Sequence, residues 1–336
     1  MASLDLTPIA VVFSDIHLHD WKTYNPNGER ANWGIKAMLE IGKTARIFGV
    51  PILFAGDMGH AFGKVSLNLW YQFAHMTNLW IDNGYPPITG ISGNHDQEGA
   101  TYSEESSSKS FWELISIIWP RVYRSVDFTS WLASPQLKVW GIPYLTYNKT
   151  LANYVWQMGA ESTQSGVFRI LLIHTDLHGA VEATGREVGT VEEIPEDMDD
   201  FFGRFDLVVS GHIHKRQRLG KKVLIPGSPF QQKKSDMGAD YGYWVIFSNG
   251  IKLLPKFVPL EEWPRFIQLQ PGEEPRDDKN YYIPAEVAPI EEVGDLGFSN
   301  TTSKVKLVSR YMKKIGETSV SKKKTLLNLL EDADQD

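Results

Sequence analysis

The 336-residue chain contains no cysteine, which excludes disulfides, zinc–thiolate sites and cysteine nucleophiles together and leaves oxygen and nitrogen as donors for any metal. Long apolar runs are missing as well. The first one, residues 9–13, is far shorter than the roughly 20 residues of a membrane-spanning helix, and the opening MASLDLTP lacks the basic region of an export signal. The chain therefore reads as soluble and cytoplasmic, with no membrane partner. Nor is there a basic excess: 34 Lys and Arg against 41 Asp and Glu give a formal net charge of −7. That balance argues mildly against a nucleic-acid partner, but net charge averages over the surface and leaves room for a local basic face. What the chain does have is a globular composition, 42% hydrophobic with 11 Trp, at a length of roughly two domains of about 150 residues each.

Residues 9–14, 51–55, 88–92, 138–143, 169–175, 207–210 and 223–225 are apolar runs without polar alternation, as expected of short strands covered on both faces. Helical spacing between them, at 33–48 and 108–118, predicts an α/β layered domain over residues 1–258, closed by a hairpin of 241–247 and 251–258. Residues 259–287, rich in Pro and charge, read as a short accessory segment. Residues 288–300 read as a linker and 301–336 as a helical tail, with Val305, Val308, Met312 and Ile315 at helical spacing and four leucines within 325–330.

Polar motifs follow these strands directly. Asp15-Ile16-His17 follows the first, Gly56-Asp57 the second and Gly93-Asn94-His95-Asp96 the third; His174 ends the fifth, and Gly211-His212-Ile213-His214 ends the sixth. In open α/β sheets the carboxyl ends of strands converge on a ligand crevice, so separated motifs should meet there. Eight of the nine histidines lie in or beside these blocks, and only His75 stands in an ordinary helical pattern. Asp15, His17, Asp57, Asn94, His174, His212 and His214 are thus the candidate metal ligands. A mixture of carboxylate oxygen and imidazole nitrogen suits Mn²⁺, Fe²⁺ or Zn²⁺. Two such cations need one bridging carboxylate, and Asp57, between the other two N-terminal motifs, is the natural one.

Taken in order, these motifs resemble those of the calcineurin-like metallophosphoesterases, over about the first 215 residues. The resemblance implies a layered α-β-β-α sandwich. It gives one cation Asp15, His17, Asp57 and His214, and the other Asp57, Asn94, His174 and His212. His95, held by Asp96 or a neighbouring carboxylate, becomes the acid at the leaving oxygen; His178 and Asp176 take supporting places.

Within that superfamily, Gly227-Ser228-Pro229 shortly after the second His pair and His60 three residues after Asp57 resemble the SbcD type, the nuclease component of DNA-repair complexes. The family's role for His60 is to orient the substrate phosphate. The resemblance further implies exonuclease action on double-stranded DNA, endonuclease action on single strands and Mn²⁺ as cofactor, with Mg²⁺ as the alternative. It also implies a homodimer through helices near 62–78 and 110–118, and an SbcC-type ATPase docked on the tail. A phage-encoded version, which the short accessory segment suggests, would act in the host cytoplasm. Lys215, Arg216 and Arg218, followed by Lys221 and Lys222, are candidate phosphate contacts with Ser228. The alternative is a small-molecule or cyclic-nucleotide phosphodiesterase with the same metals; a scaffold role alone is disfavoured because every expected ligand is in place.

Overall fold

A strand that is apolar on both faces has to be covered on both. The computed structural model describes residues 6–20, 29–60, 65–97, 110–145, 149–188, 194–195, 197–270, 273–277 and 280–283, and they meet that demand with two stacked sheets flanked by helices. The first sheet comprises β1 (Thr7–Phe13), β2 (Ile52–Phe54), β3 (Ile88–Gly90), β4 (Tyr123–Ser125), β11 (Gly242–Ser248) and β12 (Leu253–Pro259), in the order β12-β11-β1-β2-β3-β4. The second comprises β5 (Ser130–Ser134), β6 (Leu137–Ile142), β7 (Phe168–His174), β8 (Leu207–Gly211), β9 (Gln217–Leu219) and β10 (Val223–Ile225), in the order β5-β6-β7-β8-β10-β9.

Strands β1 to β4 run parallel, as do β6, β7, β8 and β10. The expected hairpin is present as β11 and β12, paired antiparallel at the edge of the first sheet. Side chains alternate between faces with the strand period of two. Ala10 and Val12 of β1 point into the layer between the sheets with Leu53, Val139, Ile170, Leu172 and Val209. Val11 and Phe13 point outward onto α1 (Arg30–Phe48), α2 (Leu67–Asp82) and α3 (Phe111–Ile118). On the far side, Trp140, Leu171 and Ile173 pack against α4 (Lys149–Ala160) and α5 (Met198–Phe201). The result is the layered α-β-β-α order expected from sequence.

Helix α1 begins three residues before the predicted start, and α3 three residues after its own. Local chemistry sets the second of these, because the Ser110 hydroxyl accepts the Glu113 N–H at 2.9 Å and so caps the helix. A two-stranded ribbon of β13 (Phe266–Gln268) and β14 (Tyr281–Ile283) falls within the expected accessory segment. The chain divides into two units. The first, Met1–Ile267 with Pro275–Ile283, contains both six-stranded sheets and all the helices named here; of the second, Gln268–Glu274 with Pro284–Asp336, only 268–270 and 273–274 fall among the described residues. The expected linker and helical tail lie outside the described residues.

Candidate metal centre

The carboxyl ends of β1, β2 and β3 meet those of β7 and β8 along one edge, where the first sheet rests on the second. Past the last paired residues the loops keep bonding. Asp15 N–H donates to the Gly56 carbonyl at 2.9 Å, His17 N–H to Asp57 at 3.0 Å and Leu18 N–H to Met58 at 2.8 Å. This forces an unusual backbone. Five described non-glycine residues have left-handed φ, and four of them are Asp15 (54°), His17 (48°), Asp57 (64°) and His212 (88°). Such conformations cost of order 1–3 kcal/mol each and persist where surrounding bonds over-determine them, often at functional sites.

The seven candidate ligands come together. Ligand atoms of Asp15, His17 and His214 lie within 4.8 Å of one another, and so do those of Asp57, His174 and His212. Asp57 joins the groups: its Oδ2 is 3.5 Å from His17 Nε2 and 3.3 Å from His174 Nε2. Asn94 Oδ1 completes the second group, 3.1 Å from His174 Nε2 and 3.1 Å from His212 Nδ1.

Hydrogen bonds behind the rings set which nitrogen faces inward. His174 Nδ1 donates to the Ala55 carbonyl at 2.7 Å and His214 Nδ1 to the buried Asp236 carboxylate at 3.0 Å, which turns the Nε2 of each into the site. His212 Nε2 lies 3.3 Å from Asp176.

Two features fit a cation at this place. His17 Nε2 and His214 Nε2 stand 3.1 Å apart, a contact that a shared positive ion relieves, and the fully buried Asp15 Oδ2 has no hydrogen-bond partner. Each group could hold one divalent cation, with Asp57 common to both.

Protonation follows from the same packing. Burial lowers the His174 value, yet the Asp57 carboxylate against it outweighs this and raises it from 6.5 to about 9. Burial pushes Asp57 upward, but His174, with His95 and His212, holds it below the usual carboxylate range. His17 is driven well down, by burial first and then by the rings of His95, His60 and His214.

A proton on His174 competes with a cation, so cation binding at neutral pH should release about one proton per chain from this ring. Affinity should climb with pH and level off above about 9. The His174 contribution to cation-free stability has the opposite trend, full below 6.5 and lost as pH rises through about 9. Calorimetric Mn²⁺ titration in buffers of different ionisation enthalpy measures the proton count; a count of zero at pH 7 contradicts the assignment.

The remaining expected residues divide. His60 and His95 stack at 4.8 Å with an 8° interplanar angle beside His17, and His60 Nδ1 lies 3.0 Å from His17 Nδ1. His95 Nδ1 donates to the His60 carbonyl at 2.9 Å. The Asp96 carboxylate accepts the backbone N–H groups of Asp57 (2.9 Å), Gly59 (2.8 Å) and Gly93 (3.0 Å), tying the β2 and β3 loops together.

Ser228 is 1% exposed; its hydroxyl donates to the Phe230 carbonyl and its N–H to the His214 carbonyl, which places it behind the loop that carries His214. Arg216 is held by Asp240 at 2.9 Å, Arg218 donates to the Lys221 carbonyl, and Lys222 donates to the Gly203 and Phe205 carbonyls. Asp236, Gln232 and Arg30, all buried beside the centre, belong to none of the motifs, and no sequence signal pointed to them.

Residues 10–216 match the family described as Calcineurin-like phosphoesterase, and the chain belongs to that family of metal-dependent phosphoesterases. The SbcD component of the nuclease SbcCD from Staphylococcus saprophyticus is 24% identical over 227 residues, covering 62% of this chain. The match spans 58% of that protein, so the chain corresponds to little more than half of it. Among solved structures, the chain is similar to the calcineurin-like phosphoesterase YfkN from Bacillus subtilis, with a TM-score of 0.41 and 12% identity over 76% of this chain and 92% of that one. A dimetal phosphatase from Danio rerio gives 0.43 and 8%, over 75% and 99%.

Proposed function

We propose that this chain is a DNA nuclease of the SbcD type, hydrolysing phosphodiesters with two divalent cations, Mn²⁺ in the first place. The observation that carries the reading is a pair of donor groups, Asp15/His17/His214 and Asp57/His174/His212, that meet where Asp57 Oδ2 lies 3.5 Å from His17 Nε2, with the stacked His60 and His95 at their rim. When bound, such a cation pair supplies Lewis-acid polarisation of phosphoryl oxygens and activation of water for attack.

The chain's own groups do the rest. His17 Nδ1 against His60 Nδ1 requires one proton between them; if His17 turns Nε2 to a cation, its Nδ1–H donates to His60, which then carries its own proton on Nε2, the atom we assign to orienting the substrate phosphate. His95 is anchored through Nδ1, so proton exchange with the leaving oxygen falls to its Nε2. DNA as the substrate is supported by the similarity to the SbcCD nuclease component. Lys215 is the basic residue we retain as a phosphate contact; the bonds made by Arg216, Arg218 and Lys222 are the observation that favours the second reading, a phosphodiesterase of small substrates.

The test uses linear double-stranded DNA with Mn²⁺, the chelated control and a small phosphodiester in parallel. DNA degradation that is lost on chelation, and that His60→Ala reduces by about 10²-fold while sparing the small ester more, supports the nuclease. Turnover of the small ester with none of DNA, even beside an SbcC-type ATPase, promotes the second reading. Docking of that ATPase on residues 301–336 is part of the proposal.

Self-association is a further part. Tyr71 and Leu67 on α2 are 73% and 84% exposed, and Ile117 on α3 is 69% exposed, on helices that touch through Trp70 and Phe111. Ile117→Glu should shift a sedimenting dimer to monomer; a monomeric parent chain refutes this part. Among the described residues no helix is long and apolar enough to cross a membrane.

A further inference from the structure

The turn at residues 231–236 lies outside every motif, yet it reaches one half of the metal centre by two routes. Asp236 Oδ2 accepts from His214 Nδ1 at 3.0 Å, and the same oxygen accepts the backbone N–H of Gln232 at 2.8 Å and of Lys233 at 3.2 Å. The turn's own backbone thereby aims the carboxylate. Gln232 Nε2 donates to the carbonyls of Asp15 and Ile16, 3.1 Å each, bracing the left-handed Asp15.

Behind the turn stands Arg30, 1% exposed at the start of α1. It donates to the Gln232 carbonyl at 3.0 Å, to the Gln231 carbonyl at 3.3 Å and to Gln232 Oε1, and its Nε donates to His19 at 2.6 Å. The ribbon meets the same hub: Tyr281 hydrogen-bonds Arg30, and Phe266 N–H donates to Gln231 Oε1. Among the hydrogen bonds described, none from this turn reaches Asn94, His174 or His212; a bond from the His212 backbone N–H to Asp15 Oδ1, at 3.1 Å, does link the halves. Those three ligands are supported by Ala55, by Asp176 and by the loops that Asp96 ties.

We propose that Asp236 and Gln232 are positioning residues for the Asp15/His17/His214 half, so that the cation held there depends on a turn anchored to the ribbon through Arg30, while its neighbour depends on the sheets. The inference rests on the two-cation reading and divides it into a position set from outside the family motifs and a position set within them.

Calorimetric Mn²⁺ titration of the full chain, followed in parallel by electron paramagnetic resonance, tests it. Asp236→Ala and Gln232→Met are each expected to weaken one binding step by about 10–100-fold, the usual cost of losing a ligand's outer partner, and to leave the other step unchanged. In Asp236→Ala the resonance at low Mn²⁺ should be that of isolated, uncoupled ions. Asp236→Asn keeps an acceptor oxygen for His214 and should recover part of the loss. Equal weakening of both steps overturns the proposal, as does unchanged binding accompanied only by a lower melting temperature of the cation-free variant. A parent chain that binds no Mn²⁺ removes the two-cation reading and this inference with it.

Discussion

Asp57→Asn is expected to lower cation-dependent phosphodiester hydrolysis by at least about 10²–10³-fold, the range set by loss of one preorganised electrostatic group at a reacting centre. Asp57 is 1% exposed and presents one oxygen, Oδ2, to both donor groups, while Oδ1 accepts the His95 N–H at 2.9 Å. An amide has a single acceptor oxygen and no charge. It can keep the His95 bond or face the cations, and it cannot draw two cations together in either case. Stability gives a second readout. In the parent, saturating cation should stabilise the fold by about 2.7 kcal/mol at 100 times the dissociation constant of one site. In Asp57→Asn most of that gain should vanish from a thermal-shift measurement with and without Mn²⁺. Hydrolysis within tenfold of the parent, or an undiminished Mn²⁺ shift, contradicts the bridging role.

Gly93→Ala should do comparable harm without touching a ligand. A Cβ at this position would stand 2.0 Å from Asp57 Oδ1 and 2.4 Å from the Asp57 backbone nitrogen. The backbone nitrogen cannot swing aside, because Asp57 N–H is held on the Asp96 carboxylate, as is the N–H of Gly93 itself. The β2 and β3 loops must therefore part. We expect a stability loss of about 1–3 kcal/mol, as for overpacking of a tight core, together with at least about 10²-fold lower hydrolysis from the displaced Asp57 carboxylate. Denaturant midpoints and initial rates measure the two. A variant with the parent's midpoint and rate would show that the loops are not closely packed at Gly93.

The sequence made the inner part of this protein readable. Strands covered on both faces leave unbroken apolar runs, so β1, β2, β7 and β8 stood out, and the ligand motifs at their ends could be placed on one edge from the sequence alone. The sheet margins were harder. β4, β5 and β9 are short and partly exposed, with sequences YRS, SWLAS and QRL that carry no such run. They are strands because a neighbour offers backbone partners, and that information is not local.

The same limit separates the candidate ligands from their supports. His214 is announced by the Gly-His-x-His spacing, but its partner Asp236 stands 22 residues further on, in a turn without apolar period or motif. A charged residue there looks like any other on a solvated loop; only the fold shows it 3% exposed and aimed at a ring. For the basic cluster after His214 the sequence showed charge but could not show that Asp240 and backbone carbonyls already hold several of its members.

Anomalous diffraction from crystals of the full chain grown or soaked with Mn²⁺ tests the central claim most directly. The account requires two peaks about 3.5–4 Å apart, one beside Asp15, His17 and His214, the other beside Asn94, His174 and His212, with Asp57 between them. A single peak, or two peaks that do not share Asp57, would contradict it.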